Sequence, residues 1–441
     1  MAHFAMLAPE AAGHLFPMGS LACELMRRGH EVTLIALPKA RPLAEQLQLP
    51  LVELTDDAPR YTPGRPTRMT ANLLGLSWAV GLRSRFCWKS ELILRQVPEL
   101  LAGLGIDGVL VDQSVLAGGS VAEHLGLPFV TVCSALMWNE EPEVPPHCTG
   151  WSWSAGAWAR GRNRAGYLAW EAYMRPVLQV INRYRSQWRL APLERSTQSI
   201  SRFAQISQLC PELDFPRREL APTCHLVGSL AAARARRDDD FPWDRLDGRP
   251  LIFASMGTVR SARNLPIFRK IAQACTELDA QLVLSLGHWR DDSQSPHEQL
   301  GELPGNPLLV DFAPQLALLE KATMMITHAG QNTTLEALNQ GVPLVALPRS
   351  DDQPALAARL QHAGVGLRAS FSRFTPDELR GLISRVLTED SFRDRAREMS
   401  RSLVKAGGVV RAADVVERVM RTGQPVVAPV PGNPSGSPAE N

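Results

Sequence analysis

One junction limits the folds open to this chain. An apolar run, Met324-Met325-Ile326, stops at Thr327-His328-Ala329-Gly330, and a helical pattern from Gln331 to Leu338 begins at once. Gly341-Val342-Pro343 then leads into a second apolar run, Leu344 to Leu347, followed by Pro348-Arg349-Ser350-Asp351-Asp352-Gln353. Short apolar runs bounded by turn residues and joined through a helix read as buried strands of a parallel sheet. A helix that starts at a strand end aims several backbone N–H groups and the positive end of its dipole beyond the sheet, which favours an anion there. His328, Thr333 and Thr334 add side-chain donors. Glu336 cannot help hold a phosphate, but its carboxylate can accept hydrogen bonds from a sugar diol. The most economical ligand is a nucleoside diphosphate with its ribose. The alternative is an ordinary strand–helix–strand unit with a polar helix cap.

The front of the chain repeats the pattern. His3 to Ala8 reads as a strand, Gly13-His14-Leu15-Phe16-Pro17 as the loop after it, and the stripe Leu21, Ala22, Leu25, Met26 as a helix that Gly29 ends. Glu31 to Leu37 is the next strand. Gly108 to Asp112 is a strand ending in a carboxylate, and Pro128 to Ser134 is another. This succession belongs to doubly wound parallel sheets, in which ligands sit beyond the carboxyl ends of the strands. The first loop lacks G-x-G-x-x-G, so a dinucleotide site has little support there. His14 and Asp112 both fall at such strand ends. A helix-capping or packed role for each is the alternative.

With 441 residues the chain is long enough for two domains. Its formal charge of +2 argues against bulk electrostatic binding of nucleic acid. Seven scattered cysteines without a Cys-x-x-Cys pair fit reduced thiols in a cytoplasm. The start, Met1-Ala2-His3-Phe4, has no basic segment or cleavage site of a secretory signal, and no apolar run is long enough to span a membrane.

Between Phe312 and Gln353 the sequence resembles the donor-binding motif of the family 1 glycosyltransferases. The matching pieces are Ala313-Pro314-Gln315, His328-x-Gly330-x-Asn332-Thr333-x-x-Glu336, Gly341-Val342-Pro343 and Asp352-Gln353. The resemblance implies two Rossmann-like domains facing a cleft, the α/β fold called GT-B. It implies that Phe312 stacks on uracil and that the Ala313 backbone reads the base edge, with Gln315 beside it. His328, Gly330, Asn332 and Thr333 would hold the diphosphate, Glu336 the ribose, and Asp352 and Gln353 the sugar. Ser255-Met256-Gly257-Thr258 resembles the family's Ser-Phe-Gly-Ser element, which also holds the diphosphate. Phe312 and Gln331 depart from the plant pattern, which has tryptophan at both places. The family carries a glycine-histidine in its first loop, so the resemblance makes His14 the general base and Asp112 the residue that orients it. Residues 118–130, with Asn139-Glu140-Glu141-Pro142, look like bacterial zeaxanthin glucosyltransferases, and macrolide and other polyketide glycosyltransferases share parts of this pattern.

The expected layout is an acceptor-binding domain (1–230), a linker (231–249), a nucleotide-sugar domain (250–405), a helix crossing back (406–421) and a disordered tail (422–441). The segment 61–92, with Leu73, Leu74, Leu76, Trp78 and Trp88, reads as an amphipathic helix on the sheet or as an acceptor-pocket wall. Trp151 to Arg189, rich in tryptophan and arginine with Glu171 as its one local acid, reads as a helix pair. Its basic face is either solvated or rests on an anionic membrane. Asp238-Asp239-Asp240 contains a D-x-D but lies in the charged linker, so no metal site is expected.

The expected activity is inverting transfer of a sugar, glucose first, from UDP to a hydroxyl of a hydrophobic natural product such as a carotenoid or a macrolide. No cofactor or metal takes part in this reading; His328 and the helix N-terminus supply the positive potential. The expected location is the cytoplasm, with peripheral contact to the membrane's inner face as an option. The alternatives are a UDP-sugar epimerase and a non-catalytic nucleotide-sugar-binding partner of another enzyme.

Overall fold

The computed structural model of the chain describes residues 1–58, 77–230, 241–257, 264–287 and 296–429. Among these, two all-parallel sheets carry the architecture. The first joins β1 (His3–Leu7), β2 (Glu31–Ala36), β3 (Leu51–Glu53), β4 (Gly108–Asp112), β5 (Phe129–Cys133), β6 (Gln205–Ser207) and β7 (Cys224–Leu226) in the order 3-2-1-4-5-6-7. The second joins β8 (Leu251–Ser255), β9 (Gln281–Ser285), β10 (Leu308–Val310), β11 (Met324–Thr327), β12 (Leu344–Ala346) and β13 (Gly366–Arg368) in the order 10-9-8-11-12-13. Phe4 to Leu7, Val109 to Val111 and Met324 to Ile326 are buried on both sheet faces, which is why these strands read as unbroken apolar runs.

Strand order reverses between β1 and β4 in one sheet and between β8 and β11 in the other. Ligand crevices of doubly wound sheets open at such reversals. The two reversals face each other. The Asn332 amide donates to the Gly13 carbonyl at 2.9 Å, Leu136 N donates to Asp352 Oδ2 at 2.9 Å, and Arg368 donates to the Gly150 carbonyl at 2.7 Å. The chain is therefore a GT-B fold of two Rossmann-like domains across a cleft.

The first helix spans Ala12–Arg27, so Gly13 and His14 lie in its first turn rather than in a preceding loop. Pro17 sits inside it. A proline there has no N–H for the carbonyl four residues back, which is Gly13's. That orphaned carbonyl is the one Asn332 reaches from the other domain.

Two further expectations change. Residues Ala157–Gln187 form one continuous helix with Pro176 inside it, not a helix pair. Proline falls on the outward face, where the carbonyl it leaves unpaired belongs to exposed Ala172. On this helix Glu171 pairs with no arginine among the described residues; it accepts from Ser196 N at 2.9 Å and Ser196 Oγ at 2.7 Å. The chain beyond residue 422 does not loosen at once, because Val426 is buried, its N–H donates to the Phe203 carbonyl at 2.8 Å, and its carbonyl lies 3.0 Å from His225 Nε2.

The Gly408–Thr422 helix packs on the first helix, where Arg28 donates to Asp414 at 2.7 Å and Glu417 at 2.9 Å. Thr258, Leu73, Leu74, Leu76, Asp238, Asp239 and Asp240 lie outside the described residues. Among the described residues no helix is long and apolar enough to cross a membrane.

Candidate active site

The N-terminal reversal places His14 after β1 and Asp112 at the end of β4, side by side. His14 Nδ1 lies 2.9 Å from Asp112 Oδ2. Asp112 is fully buried, and its other oxygen accepts from Ser114 N at 2.9 Å and from the Ser114 hydroxyl at 2.5 Å. Both carboxylate oxygens are thus committed, which fixes the ring that leans on them. Burial works against a charged His14, but the Asp112 carboxylate, by charge and hydrogen bond and with help from Asp352, raises its pKa despite Lys89. Asp112 responds in the opposite sense: burial would raise its pKa, yet His14 and Ser114 hold it below the usual carboxylate value. An imidazole that gains a proton here is stabilised, which is what a general base requires.

The C-terminal reversal places Ser255 at the end of β8 and His328 after β11. The His328 ring is seated between two glycines. A Cβ at Gly257 would lie 2.8 Å from His328 Cε1, and one at Gly330 would lie 2.5 Å from Nε2. Burial, assisted by the charge of Arg349 and opposed by the Ser255 backbone, lowers the His328 pKa to about 4. The ring is therefore neutral at pH 7 and offers a hydrogen bond, not a charge. This corrects the expectation that His328 supplies positive potential; Arg349, which sequence reading passed over, is the cation nearby.

Ala329 turns the chain with φ of 63°, and the Gln331–Asn339 helix begins with Gly330 as its cap and no side-chain capping bond. Its first N–H groups are left for an outside acceptor. The Thr334 hydroxyl and both amide atoms of Gln331 are buried there without a partner among the described residues.

Phe312 stands 43% exposed and Ala313 is buried at the start of the Gln315–Lys321 helix. The Gln315 amide donates to Glu336, so the expected base-side and ribose-side residues meet. Three residues expected on the ligand also serve the protein. Asn332 bridges Gly13 and Gln208, Asp352 takes the Leu136 N–H, and Gln353 Oε1 accepts from Arg349 N at 3.0 Å and Ser350 N at 3.2 Å. Burial, with Asp351, raises the Asp352 pKa against Leu136 N and His14.

A buried ionic knot was missed altogether. Arg359, on the Gln353–Ala363 helix, donates to Asp214 Oδ1 at 2.7 Å, and Arg217 donates to Oδ2 at 2.6 Å. Arg359 sits among apolar Leu356, Ala358 and Leu360, a position where a charge must have a partner. The sequence cannot name that partner, which lies 145 positions away.

Residues 269–417 match the family described as Erythromycin biosynthesis protein CIII-like, C-terminal domain. The chain is 38% identical to the zeaxanthin glucosyltransferase of Pantoea ananas over 432 residues, 97% of this chain and 98% of that protein. The chain belongs to the family 1 glycosyltransferases. The zeaxanthin glucosyltransferase of Pseudescherichia vulneris is 33% identical over 95% of this chain and 98% of its own length. The solved glycosyltransferase of kitacinnamycin superposes with a TM-score of 0.73 at 23% identity, covering 95% of this chain and 98% of that one, a likeness in fold. Family 1 membership makes the chain a glycosyltransferase and sets aside the epimerase and the non-catalytic partner.

Proposed function

We propose that this glycosyltransferase moves glucose, with inversion, from UDP-glucose to a hydroxyl of a lipophilic alcohol. The observation that carries the reading is the His14–Asp112 pair held against the uncapped Gln331–Asn339 helix by the Asn332–Gly13 bond. The names of the two curated relatives suggest glucose and a carotenoid alcohol as the first donor and acceptor to try. The matched Erythromycin biosynthesis protein CIII-like description suggests a macrolide as the second acceptor.

In this mechanism the acceptor oxygen attacks the anomeric carbon while the bond from that carbon to the β-phosphate oxygen breaks. His14 takes the hydroxyl proton as attack proceeds, and Asp112 stabilises the imidazolium. One displacement from the face opposite the leaving group inverts the centre. The helix N-terminus, His328, Thr333 and Ser255, with the charge of Arg349, stabilise the departing diphosphate without a metal. Phe312 and the Ala313 backbone take the base, Glu336 with Gln315 the ribose, and Asp352 and Gln353 the sugar hydroxyls. A polyene acceptor dissolves in a bilayer, so the reading carries with it a peripheral contact between the enzyme and a membrane.

The test is incubation of the pure protein with α-linked UDP-glucose and a panel of lipophilic alcohols, read by mass and anomeric NMR. A β-linked hexose on one of them supports the reading. Retention of the α configuration, or UDP-sugar epimerised without transfer, overturns it.

A further inference from the structure

The first half of the Ala157–Gln187 helix presents the wrong face to water. Its inner side buries Tyr167, Met174, Val177 and Ile181 against the rest of the domain, as a surface helix should. The opposite pole carries Trp158, Gly161, Ala165, Leu168 and Ala172 at helical spacing, all exposed. Trp158 is 77% and Leu168 68% exposed, two of the most exposed large apolar side chains among the described residues. Charged residues normally occupy that pole.

Here the charges flank the apolar strip instead, and they are of one sign. Arg164 and Arg175 are exposed along one edge, with no ion pair among the described residues. Arg162 lies along the other edge, its guanidinium 5.3 Å from the Trp158 ring centre and 4.8 Å from that of Trp151. The helix's one acid, Glu171, is turned away and held by Ser196. An exposed tryptophan at the end of an apolar strip, edged by arginines and free of acids, has the chemistry of a helix that lies in the interface of an anionic bilayer.

We propose that this face docks the enzyme on an anionic lipid surface, with Trp158 and Leu168 entering the headgroup boundary and Arg164 and Arg175 meeting lipid phosphates. A second copy of the chain fits the strip less well, because packing two such helices sets arginine edges of like charge beside each other. The inner side of the same helix explains what docking would achieve. Trp170 lies 5.4 Å from Trp138 and 4.5 Å from His147, ring centre to ring centre. Trp138 belongs to the loop whose Leu136 N–H donates to Asp352 at the cleft. Bilayer face and cleft wall are thus the two sides of one helix, about 10 Å apart. The purpose of this surface rests on the lipophilic-acceptor reading, but its existence does not.

The experiment uses the full chain without donor or acceptor. Co-sedimentation with mixed phosphatidylcholine–phosphatidylglycerol vesicles should show binding that weakens with added salt and is much weaker on phosphatidylcholine alone. Arg164→Gln with Arg175→Gln should lower partitioning about twenty-five-fold, at about fivefold per arginine. Trp158→Gln with Leu168→Gln should lower it at least about tenfold. Both pairs lie on the surface and should leave UDP binding, measured by calorimetry, unchanged. No binding of the wild type to anionic vesicles, or equal binding by both double variants, overturns the proposal. So does a wild-type dimer in sedimentation velocity that the Trp158/Leu168 variant dissolves, since the strip then belongs to a second copy. Vesicle binding without any carotenoid glucosylation would leave this surface standing and remove the acceptor reading instead.

Discussion

Replacing Arg359 by methionine tests how the two domains are held in register. Arg359 is 1% exposed, bonds Asp214 of the N-terminal domain, and stacks over Phe215 at 4.4 Å. Its helix begins at Asp352 and Gln353, the residues proposed to hold the sugar, so the bond fixes them relative to His14. Methionine keeps most of the apolar contact and removes only the charged fork. Against burial, Arg217 and Arg359 together hold the Asp214 pKa down to about 2 from 3.8. At 1.36 kcal/mol per pKa unit their excess over burial is about 2 kcal/mol. Removing one partner of a buried pair costs about 3–5 kcal/mol when it strands the other charge. Asp214 keeps Arg217, so Arg359→Met should cost less, about 1–3 kcal/mol. Asp214→Asn removes the acid partner of buried Arg359 and leaves Arg217 only Glu141, at 3.8 Å, so it should cost the full amount. The pH dependence has a definite sign. A depressed carboxylate stabilises fully above its unfolded pKa and loses that contribution as pH falls through the folded value. Wild type and Arg359→Met should therefore differ above pH 3.8 and converge towards pH 2. Urea unfolding followed by tryptophan fluorescence reads this, taking the first transition because two domains need not unfold together. Turnover should fall with UDP affinity retained, since the donor residues proposed above all lie in the C-terminal domain. An Arg359→Met variant within about 0.5 kcal/mol of wild type, the range of ordinary surface changes, or an Asp214→Asn variant milder than it, would refute the reasoning.

Other outcomes follow from the same geometry. The rate should rise with pH through a His14 pKa above 6.5, because the base must be neutral to act and Asp112 raises its pKa. Asp112→Asn should move that limb to lower pH and lower its plateau; a limb that stays or moves up contradicts the pairing. Gly330→Ala drives a Cβ into the His328 ring, 2.5 Å from Nε2, and should weaken UDP binding about tenfold or more in calorimetry by losing a hydrogen bond to a charged group. Unchanged affinity would mean that the ring does not touch the diphosphate. EDTA should leave the transfer rate unchanged, and activity lost on chelation and restored by Mg²⁺ would defeat the metal-free mechanism.

Much of the fold was legible because buried parallel strands are unbroken apolar runs, and Gly108–Asp112 and Met324–Thr327 stand out from their turn-rich flanks. The placement of the candidate residues was legible for the same reason: a strand that stops at His328 or Asp112 puts that side chain at the carboxyl edge of the sheet. The start of the first helix was not, because Pro17 looked like a boundary. Its lost hydrogen bond is replaced by Asn332, far away in sequence. The two-helix reading of 151–189 gave way to one helix, which accommodates Pro176 because the carbonyl it leaves unpaired is on exposed Ala172. Partners of Arg359, Arg185 and Arg183 come from distant segments, Asp214, Glu123 and Glu91, which no local pattern reports. Asp352 and Gln353 were found as motif residues, yet their bonds to Leu136 and to their own loop depend on packing the sequence does not spell out.

The central claim is that His14 removes the acceptor proton, and turnover of His14→Ala tests it most directly. General-base catalysis is worth about 10²–10⁴-fold, so turnover should fall by that much while UDP affinity and melting temperature stay near wild type. The nucleotide is assigned to the other domain, and the cross-domain bond at this turn uses the Gly13 carbonyl, which the substitution leaves in place. A variant that keeps more than about a tenth of wild-type turnover, well short of the loss expected for a base, would show that His14 is a packed histidine and that the mechanism is wrong.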